Sequence, residues 1–182
     1  MKAVDDVLAI LQHSEEAEYF GEAVSQLQHA LQAAHSAELA HADEELIIAA
    51  LLHDIGHLIT APDSGRDSEV GVIDHDHAGA EFLRQHGFSD RVTKLVNGHV
   101  DAKRYLTATN PDYVARLSPA STRTLLLQGG PMSSEQADNF RTDPLFRDKL
   151  QLRSWDEQAK NPNAIVPPLA HYRAMLERHF SR

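Results

Sequence analysis

The 182-residue chain contains no cysteine, which excludes a disulfide framework and a thiolate metal site. Metal ligands, if there are any, must therefore come from His, Asp and Glu, and twelve histidines are available. The lack of cysteine is compatible with a reducing compartment. The N-terminus also lacks a positively charged segment followed by an apolar one, so we expect a cytoplasmic protein rather than a secreted one.

Positive charge is scarce as well. Seventeen Lys and Arg residues stand against 27 Asp and Glu residues, for a formal net charge of -10, and the basic residues are scattered along the chain. Nucleic acid and anionic membrane surfaces are therefore not expected as partners. An anionic small molecule would have to be held by a few well-placed cations.

Long apolar runs and alternating strand patterns are both missing. No apolar segment approaches the roughly 20 residues of a membrane-spanning helix, and there is no internal repeat. Helical periodicity dominates instead, so we predict an all-α fold. The length and the 42% hydrophobic content predict a single domain over residues 1–182. The oligomeric state is left open.

The predicted helices follow from this periodicity. In residues 16–40 one stripe is apolar, formed by Phe20, Val24, Leu27 and Leu31. Further helices are predicted over residues 43–53, 75–86, 90–106, 144–160 and 168–180. Ser133 and Gln136 can form a capping box that opens another helix. Residues 61–72 are rich in Gly, Pro, Asp and Ser and are predicted to form a loop.

The most informative residues are His53 and Asp54, which follow an almost uninterrupted apolar run. An ionised aspartate in such a place needs a strong positive partner, and a metal ion is a common one. His57 lies four residues after His53, so a continuous helix would place both on one face. Taken alone, the His-Asp pair could instead be a buried hydrogen-bonded couple.

Four further residues strengthen the metal hypothesis: His29, His75, His99 and Asp156. Each histidine alone would be read as a satisfied core residue. Together with His53 and Asp54 they provide four histidines and two aspartates, enough for two metal ions that share a carboxylate.

The order of these residues resembles the dinuclear version of the HD-domain superfamily, which is named after the His-Asp pair. The resemblance implies a helical bundle around a dinuclear metal site that Asp54 bridges. The family's H-x-x-x-G pattern matches His75 and Gly79, which makes His75 a better ligand candidate than His77.

A finer resemblance begins at Tyr19-Phe20-Gly21-Glu22-Ala23-Val24, ahead of His29. This Y-x-G-E-x-V…H pattern is similar to the mixed-valent diiron oxygenases of the PhnZ type. In a continuous helix Tyr19, Glu22 and His29 would share a polar stripe, which could equally be a solvated face.

The resemblance implies particular roles. His29, His53, Asp54 and Asp156 would hold one iron of an Fe(II)/Fe(III) pair, and Asp54, His75 and His99 would hold the other. Tyr19 would guard an open coordination position, and Glu22 would meet an ammonium group of the substrate. We group His57 with these catalytic candidates, without a defined role.

A phosphonate substrate also requires hydrogen-bond donors. Lys103 lies one helical turn after His99, and Arg153 lies three residues before Asp156, so both are candidates. The resemblance adds Ser121 and Gln128. Each has an ordinary alternative, since Lys103 and Arg153 could be surface charges and Ser121 a helix cap.

The resemblance implies C–P bond cleavage, with O2, of a small 1-hydroxyphosphonate that bears an amine or quaternary ammonium group, giving phosphate and a carboxylic acid. The main rival is an HD phosphohydrolase, which would use two divalent metals and water on a phosphoester or nucleotide. No Gly-Tyr-Pro follows the H-x-x-x-G region, which argues against the cyclic-dinucleotide branch. A silent helical binding module would be expected to have lost ligands. The Tyr19–Glu22 feature favours the oxygenase.

Overall fold

A computed structural model describes residues 2–19, 22–59, 66–67 and 71–181. Within these residues the regular secondary structure is helical apart from two two-residue strands, so the all-α prediction is confirmed. The helices are α1 Lys2–His13, α2 Gln26–Leu39, α3 Glu44–Leu52, α4 Gly56–Ile59, α5 His75–Gln85, α6 Asp90–Thr109, α7 Pro111–Arg116, α8 Pro119–Leu127, α9 Ser134–Arg141, α10 Phe146–Gln158 and α11 Arg173–His179, with a 3-10 turn at Leu169–Tyr172.

The two strands, β1 Arg66–Asp67 and β2 Gly71–Val72, pair antiparallel inside the segment predicted to be a loop. The rest of that segment lies outside the described residues. Among the described helices, none has both the length and the apolar character needed to cross a bilayer.

Helix α3 is the centre of the bundle. All seven of its residues from position 46 to position 52 are buried, which is typical of a helix surrounded by protein on every side. Helices α2, α6, α10 and α11 all pack against it. The Asp43 side chain caps its N-terminus by accepting hydrogen bonds from the backbone nitrogens of Glu45 and Leu46, both at 3.1 Å. The predicted start of this helix is therefore confirmed.

The C-terminal end of α3 differs from the prediction. The helix ends at Leu52, residues 53–55 form a turn, and the short helix α4 begins at Gly56. The spacing of His53 and His57 predicts that they share one face of a continuous helix. They do not, because the helix is interrupted between them. The turn instead directs the buried side chains of His53 and Asp54 towards the helices that surround α3.

The predicted helix over residues 16–40 is also wrong in its first part. Helix α2 begins only at Gln26, because Ser25 and Gln28 form a capping box there. Before it the backbone folds back on itself, since the nitrogen of Tyr19 donates to the oxygen of Val24 and the nitrogen of Glu22 donates to the oxygen of Tyr19. Phe20 lies outside the described residues.

Other parts of the sequence-based assignment agree with the structure. Val24, Leu27 and Leu31 are buried as predicted. The Ser133–Gln136 capping box is present at α9. Helix α1 was not predicted, and it covers the bundle with four buried side chains, Val4, Val7, Leu8 and Leu11.

Candidate metal centre

The six predicted metal ligands lie together in the middle of the bundle, and each of them is buried. His29 comes from α2, and His53 and Asp54 come from the turn after α3. His75 is the first residue of α5, while His99 lies on α6 and Asp156 on α10. Four helices and one turn therefore bring their polar side chains to a single point.

The first group of donors contains a close pair of imidazoles. The Nε2 atoms of His29 and His53 lie 3.1 Å apart. The Nδ1 atom of His29 lies 2.9 Å from the carbonyl oxygen of Ala159, and that of His53 lies 2.9 Å from the carbonyl oxygen of Ala50. If Nδ1 donates to these carbonyls, each neutral ring presents a lone pair at Nε2. Two facing lone pairs at this distance need a cation close to both.

Two carboxylate oxygens complete this group. Asp54 Oδ2 lies 3.5 Å from His29 Nε2 and 3.4 Å from His53 Nε2. Asp156 Oδ1 lies 3.4 Å and 3.7 Å from the same two atoms. Asp54 Oδ2 is buried and has no hydrogen-bond partner among the described residues. A buried carboxylate oxygen left in this way fits a metal ligand.

The second group is built in the same manner around the other oxygen of Asp54. Asp54 Oδ1 lies 3.2 Å from His75 Nε2 and 3.5 Å from His99 Nε2, and these two nitrogens are 2.9 Å apart. His99 Nδ1 lies 2.7 Å from the carbonyl oxygen of Val96. Each group can hold one metal ion, and Asp54 faces both. The donor set of imidazole and carboxylate suits first-row transition metals.

Electrostatics support the same reading. Burial alone would lower the pKa of His53, but Asp54 and Asp156 outweigh it and raise that pKa well above its usual range. Burial would raise the pKa of Asp54, yet the surrounding histidines, His53 above all, hold it well below its usual range. Without a metal, protons thus carry the positive charge between the carboxylates. A bound metal ion would have to displace these protons, so metal affinity must fall as the pH falls.

The H-x-x-x-G pattern has a physical explanation in the packing of α5 against the start of α4, which follows the turn after α3. A Cβ atom on Gly79 would lie 3.1 Å from the backbone nitrogen of Gly56, and one on Gly56 would lie 1.9 Å from the carbonyl oxygen of His75. Only glycines allow the two backbones to approach this closely. Their contact places His75 beside Asp54.

His57 is buried beside the second group. Its ring stacks on that of His75, with 3.9 Å between centroids and 19° between planes. Burial and the neighbouring His75 hold the pKa of His57 well below its usual range, so its ring remains neutral. This contact suits a residue that orients His75. The catalytic role predicted for His57 stays a prediction.

Tyr19 and Glu22 reach the site from the folded-back segment before α2. The Tyr19 ring stacks on His29, with 3.8 Å between centroids and 15° between planes. Burial, together with Asp54 and Asp156, raises the pKa of Tyr19 well above its usual range. The carboxylate of Glu22 lies 3.3 Å from the ammonium nitrogen of Lys160. Tyr19 and Glu22 therefore reach the candidate metal centre from a turn before α2. They do not lie on one polar stripe of a continuous helix.

A small cavity of about 50 Å³ opens onto the second group. All four predicted substrate-binding residues line it, namely Lys103, Ser121, Gln128 and Arg153. Gln128 Oε1 is buried without a hydrogen-bond partner among the described residues, so it is available to a ligand. Ser121 also lies in the first turn of α8, where its backbone nitrogen donates to Ser118.

Lys103 carries its amine into this cavity and is 3% exposed. Its Nζ donates to Thr124 Oγ1 at 2.9 Å. Burial, aided by the positive charge of Arg153, lowers the pKa of Lys103 to about 7. The surface alternative for Lys103 is therefore excluded, and an incoming anion would find a cation already in place at or below neutral pH.

Arg153 is committed mainly to neighbouring side chains. It donates to Asp156 Oδ2 at 2.5 Å, to the Tyr113 hydroxyl at 2.8 Å, and to Glu157. By holding Oδ2 of Asp156, it turns Oδ1 towards His29 and His53. The guanidinium also lines the cavity, so it can both orient Asp156 and face a bound anion.

Four residues that contact the site were not predicted from the sequence. Tyr113, Thr124, Glu157 and Lys160 each contact a predicted site residue. The available signal was spacing in the sequence, since Glu157 and Lys160 follow Asp156 by one and four residues. Thr124 likewise lies one helical turn before Gln128, the residue that follows α8.

The fold and the paired metal groups define the class of this protein. The sequence model of the HD domain family matches residues 26–143, well over half of the chain, and the chain belongs to this family. Within the family it groups with two relatives that are named as phosphonate dioxygenases, so it is an enzyme of the oxygenase branch.

Two relatives carry functional names. A 1-hydroxy-2-(trimethylamino)ethylphosphonate dioxygenase (glycine-betaine-forming) from Leisingera caerulea is 42% identical over 163 residues, covering 88% of this chain and 82% of the relative. A hydroxymethylphosphonate dioxygenase from Gimesia maris is 42% identical over 160 residues, covering 87% and 79%. An uncharacterized protein of Acanthamoeba polyphaga mimivirus is 36% identical over 179 residues, covering 98% and 82%.

Proposed function

We propose that this enzyme uses a pair of iron ions, Fe(II)/Fe(III), and O2 to cleave the C–P bond of a small 1-hydroxyalkylphosphonate. The observation that carries the proposal is the position of Asp54, whose two oxygens each face a separate pair of histidine Nε2 atoms. The names of two relatives, both phosphonate dioxygenases, support the reaction type.

The reaction balances without a further reductant. A 1-hydroxyphosphonate and one O2 yield phosphate and a carboxylic acid, with loss of the C–P bond and of one C–H bond at C1. The metal pair would supply the activation of O2 and the oxidation. His29, His53, Asp54 and Asp156 would hold one ion, and Asp54, His75 and His99 the other.

The chain's own residues would bind and orient the substrate. Lys103 brings a buried amine into the cavity, and Ser121 and Gln128 add polar groups. These suit the phosphonate oxygens and the C1 hydroxyl.

Tyr19 would cover the first metal position in the absence of substrate. Its ring already lies against His29, and the raised pKa keeps the phenol protonated in the metal-free protein. The resemblance implies a substrate with an amine or quaternary ammonium group. Binding of that group would require that the Glu22 carboxylate can pair with it.

The test measures phosphate release from hydroxymethylphosphonate and from 1-hydroxy-2-(trimethylamino)ethylphosphonate, with and without O2. We expect phosphate from at least one of them, in a one-to-one ratio with consumed O2, and little from a phosphomonoester. Equal phosphate release under strict anaerobiosis would overturn the oxygenase proposal in favour of the phosphohydrolase.

A further inference from the structure

Lys160 lines the cavity but is neither a candidate metal ligand nor a predicted substrate contact. It lies two residues after the end of α10, and its side chain is 17% exposed. Its Nζ lies 3.3 Å from a carboxylate oxygen of Glu22 and 3.3 Å from one of Glu157. It also donates to the hydroxyls of Ser118 and Ser121, both at 3.4 Å. The lysine is thus held between two carboxylates on the cavity wall.

This position matters because Glu22 is the residue expected to meet a substrate ammonium group. Here a cation from the chain itself already pairs with the Glu22 carboxylate. A substrate ammonium at that carboxylate would have to displace Lys160 or lie beside it. Like charges placed side by side in a partly desolvated site strongly disfavour binding.

The other basic side chains that line the cavity also disfavour a substrate ammonium group. Lys160 contacts Ser121, a predicted phosphonate contact, and Arg153 and Lys103 line the same space. Three basic side chains suit the phosphonate, but none of them suits a second positive group on the substrate.

From these contacts, and relying on the proposed function, we infer that Lys160 is a specificity-determining residue. It neutralises Glu22 and thereby favours 1-hydroxyphosphonates with an uncharged substituent at C1 over those with an ammonium group. The named substrates of the two relatives differ in this very feature, since one bears a trimethylamino group and the other has none.

The experiment compares kcat/KM for hydroxymethylphosphonate and for 1-hydroxy-2-(trimethylamino)ethylphosphonate. We expect wild type to prefer hydroxymethylphosphonate. Lys160→Met removes the charge and keeps the length of the side chain, so it should shift the preference towards the ammonium substrate by roughly tenfold or more. Lys160→Arg keeps the charge and should retain the wild-type preference. Lys94→Met is the matched control, because Lys94 is an exposed lysine on α6.

Metal content and thermal midpoint are measured for every variant, and Lys160→Gln replaces Lys160→Met if the latter does not fold. An unchanged substrate ratio in the folded variant would overturn the inference, as would a wild-type preference for the ammonium substrate. If neither compound gives O2-dependent phosphate with wild type, the proposed function itself fails. That outcome is distinct from turnover of both compounds without an effect of Lys160.

Discussion

Asp54 is the residue on which both metal positions depend. Its two oxygens face different histidine pairs, and Oδ2 has no hydrogen-bond partner among the described residues. Asp54→Asn should therefore bind less than one metal ion per chain, since removal of a shared anion leaves two cations uncompensated. Metal analysis after gel filtration checks this. Asp138→Asn, at an exposed aspartate, serves as the control, and two tightly held ions in Asp54→Asn would refute the bridge.

Lys103 should make phosphonate binding depend on pH. Its lowered pKa, about 7, means that the free enzyme loses this positive charge as the pH rises through neutrality. The kcat/KM for a phosphonate should therefore fall above about pH 7, and Lys103→Arg should move that alkaline limb upward. Lys103→Met should weaken binding by about 1.5–3 kcal/mol, the scale of a charge-assisted hydrogen bond. A pH profile that is identical in wild type and Lys103→Arg would remove Lys103 from the phosphonate site.

The same lowered pKa affects stability. Unfolded Lys103 binds its proton more tightly than folded Lys103 does, so this residue makes the folded state relatively more stable as the pH rises from about 7 to 10.5. Binding and stability thus change in opposite directions over this range. The contribution can be separated from that of other groups by comparison with Lys103→Met.

Among the elements, α5 illustrates how backbone packing places a ligand. Gly79→Ala would put a methyl group 3.1 Å from the backbone of Gly56 and so push α5, with His75, away from Asp54. We expect a loss of about 1–3 kcal/mol in the free energy of unfolding, as for an overpacked site, and weaker binding at the second metal position. Denaturant unfolding and metal titration measure the two effects. The exposed His77 on the same helix provides the control, and His77→Ala should keep both ions.

The segment before α2 positions Tyr19 beside the first group of donors. Its backbone hydrogen bonds hold Tyr19 against His29. Tyr19→Phe should keep both metal ions, because all six candidate ligands remain, but should lose the hydroxyl that would cover the first position. We expect the substrate-free protein to oxidise faster in air than wild type. Identical oxidation rates and spectra in the two proteins would mean that Tyr19 is only a packing residue.

For the molecule as a whole, the sequence predicted the helical class and all six clustered residues. The His-Asp pair and the H-x-x-x-G pattern are local, and His29, His99 and Asp156 follow from the order of residues in the family that the chain resembles. Prediction from the sequence failed where tertiary contacts decide. The turn at Tyr19 and Glu22 depends on pairing with Val24 and on the helix cap at Ser25, which helical periodicity cannot detect. Lys160 was missed because a lone lysine after a helix has no distinctive pattern. Its meaning comes only from Glu22, which lies 138 residues earlier in the chain.

The metal pair itself is tested most directly by metal analysis combined with electron paramagnetic resonance of anaerobically purified protein. We expect two iron ions per chain and a mixed-valent signal that changes when hydroxymethylphosphonate is added. Two redox-inactive divalent ions that support phosphoester hydrolysis, with no such signal after reconstitution with iron, would contradict this expectation.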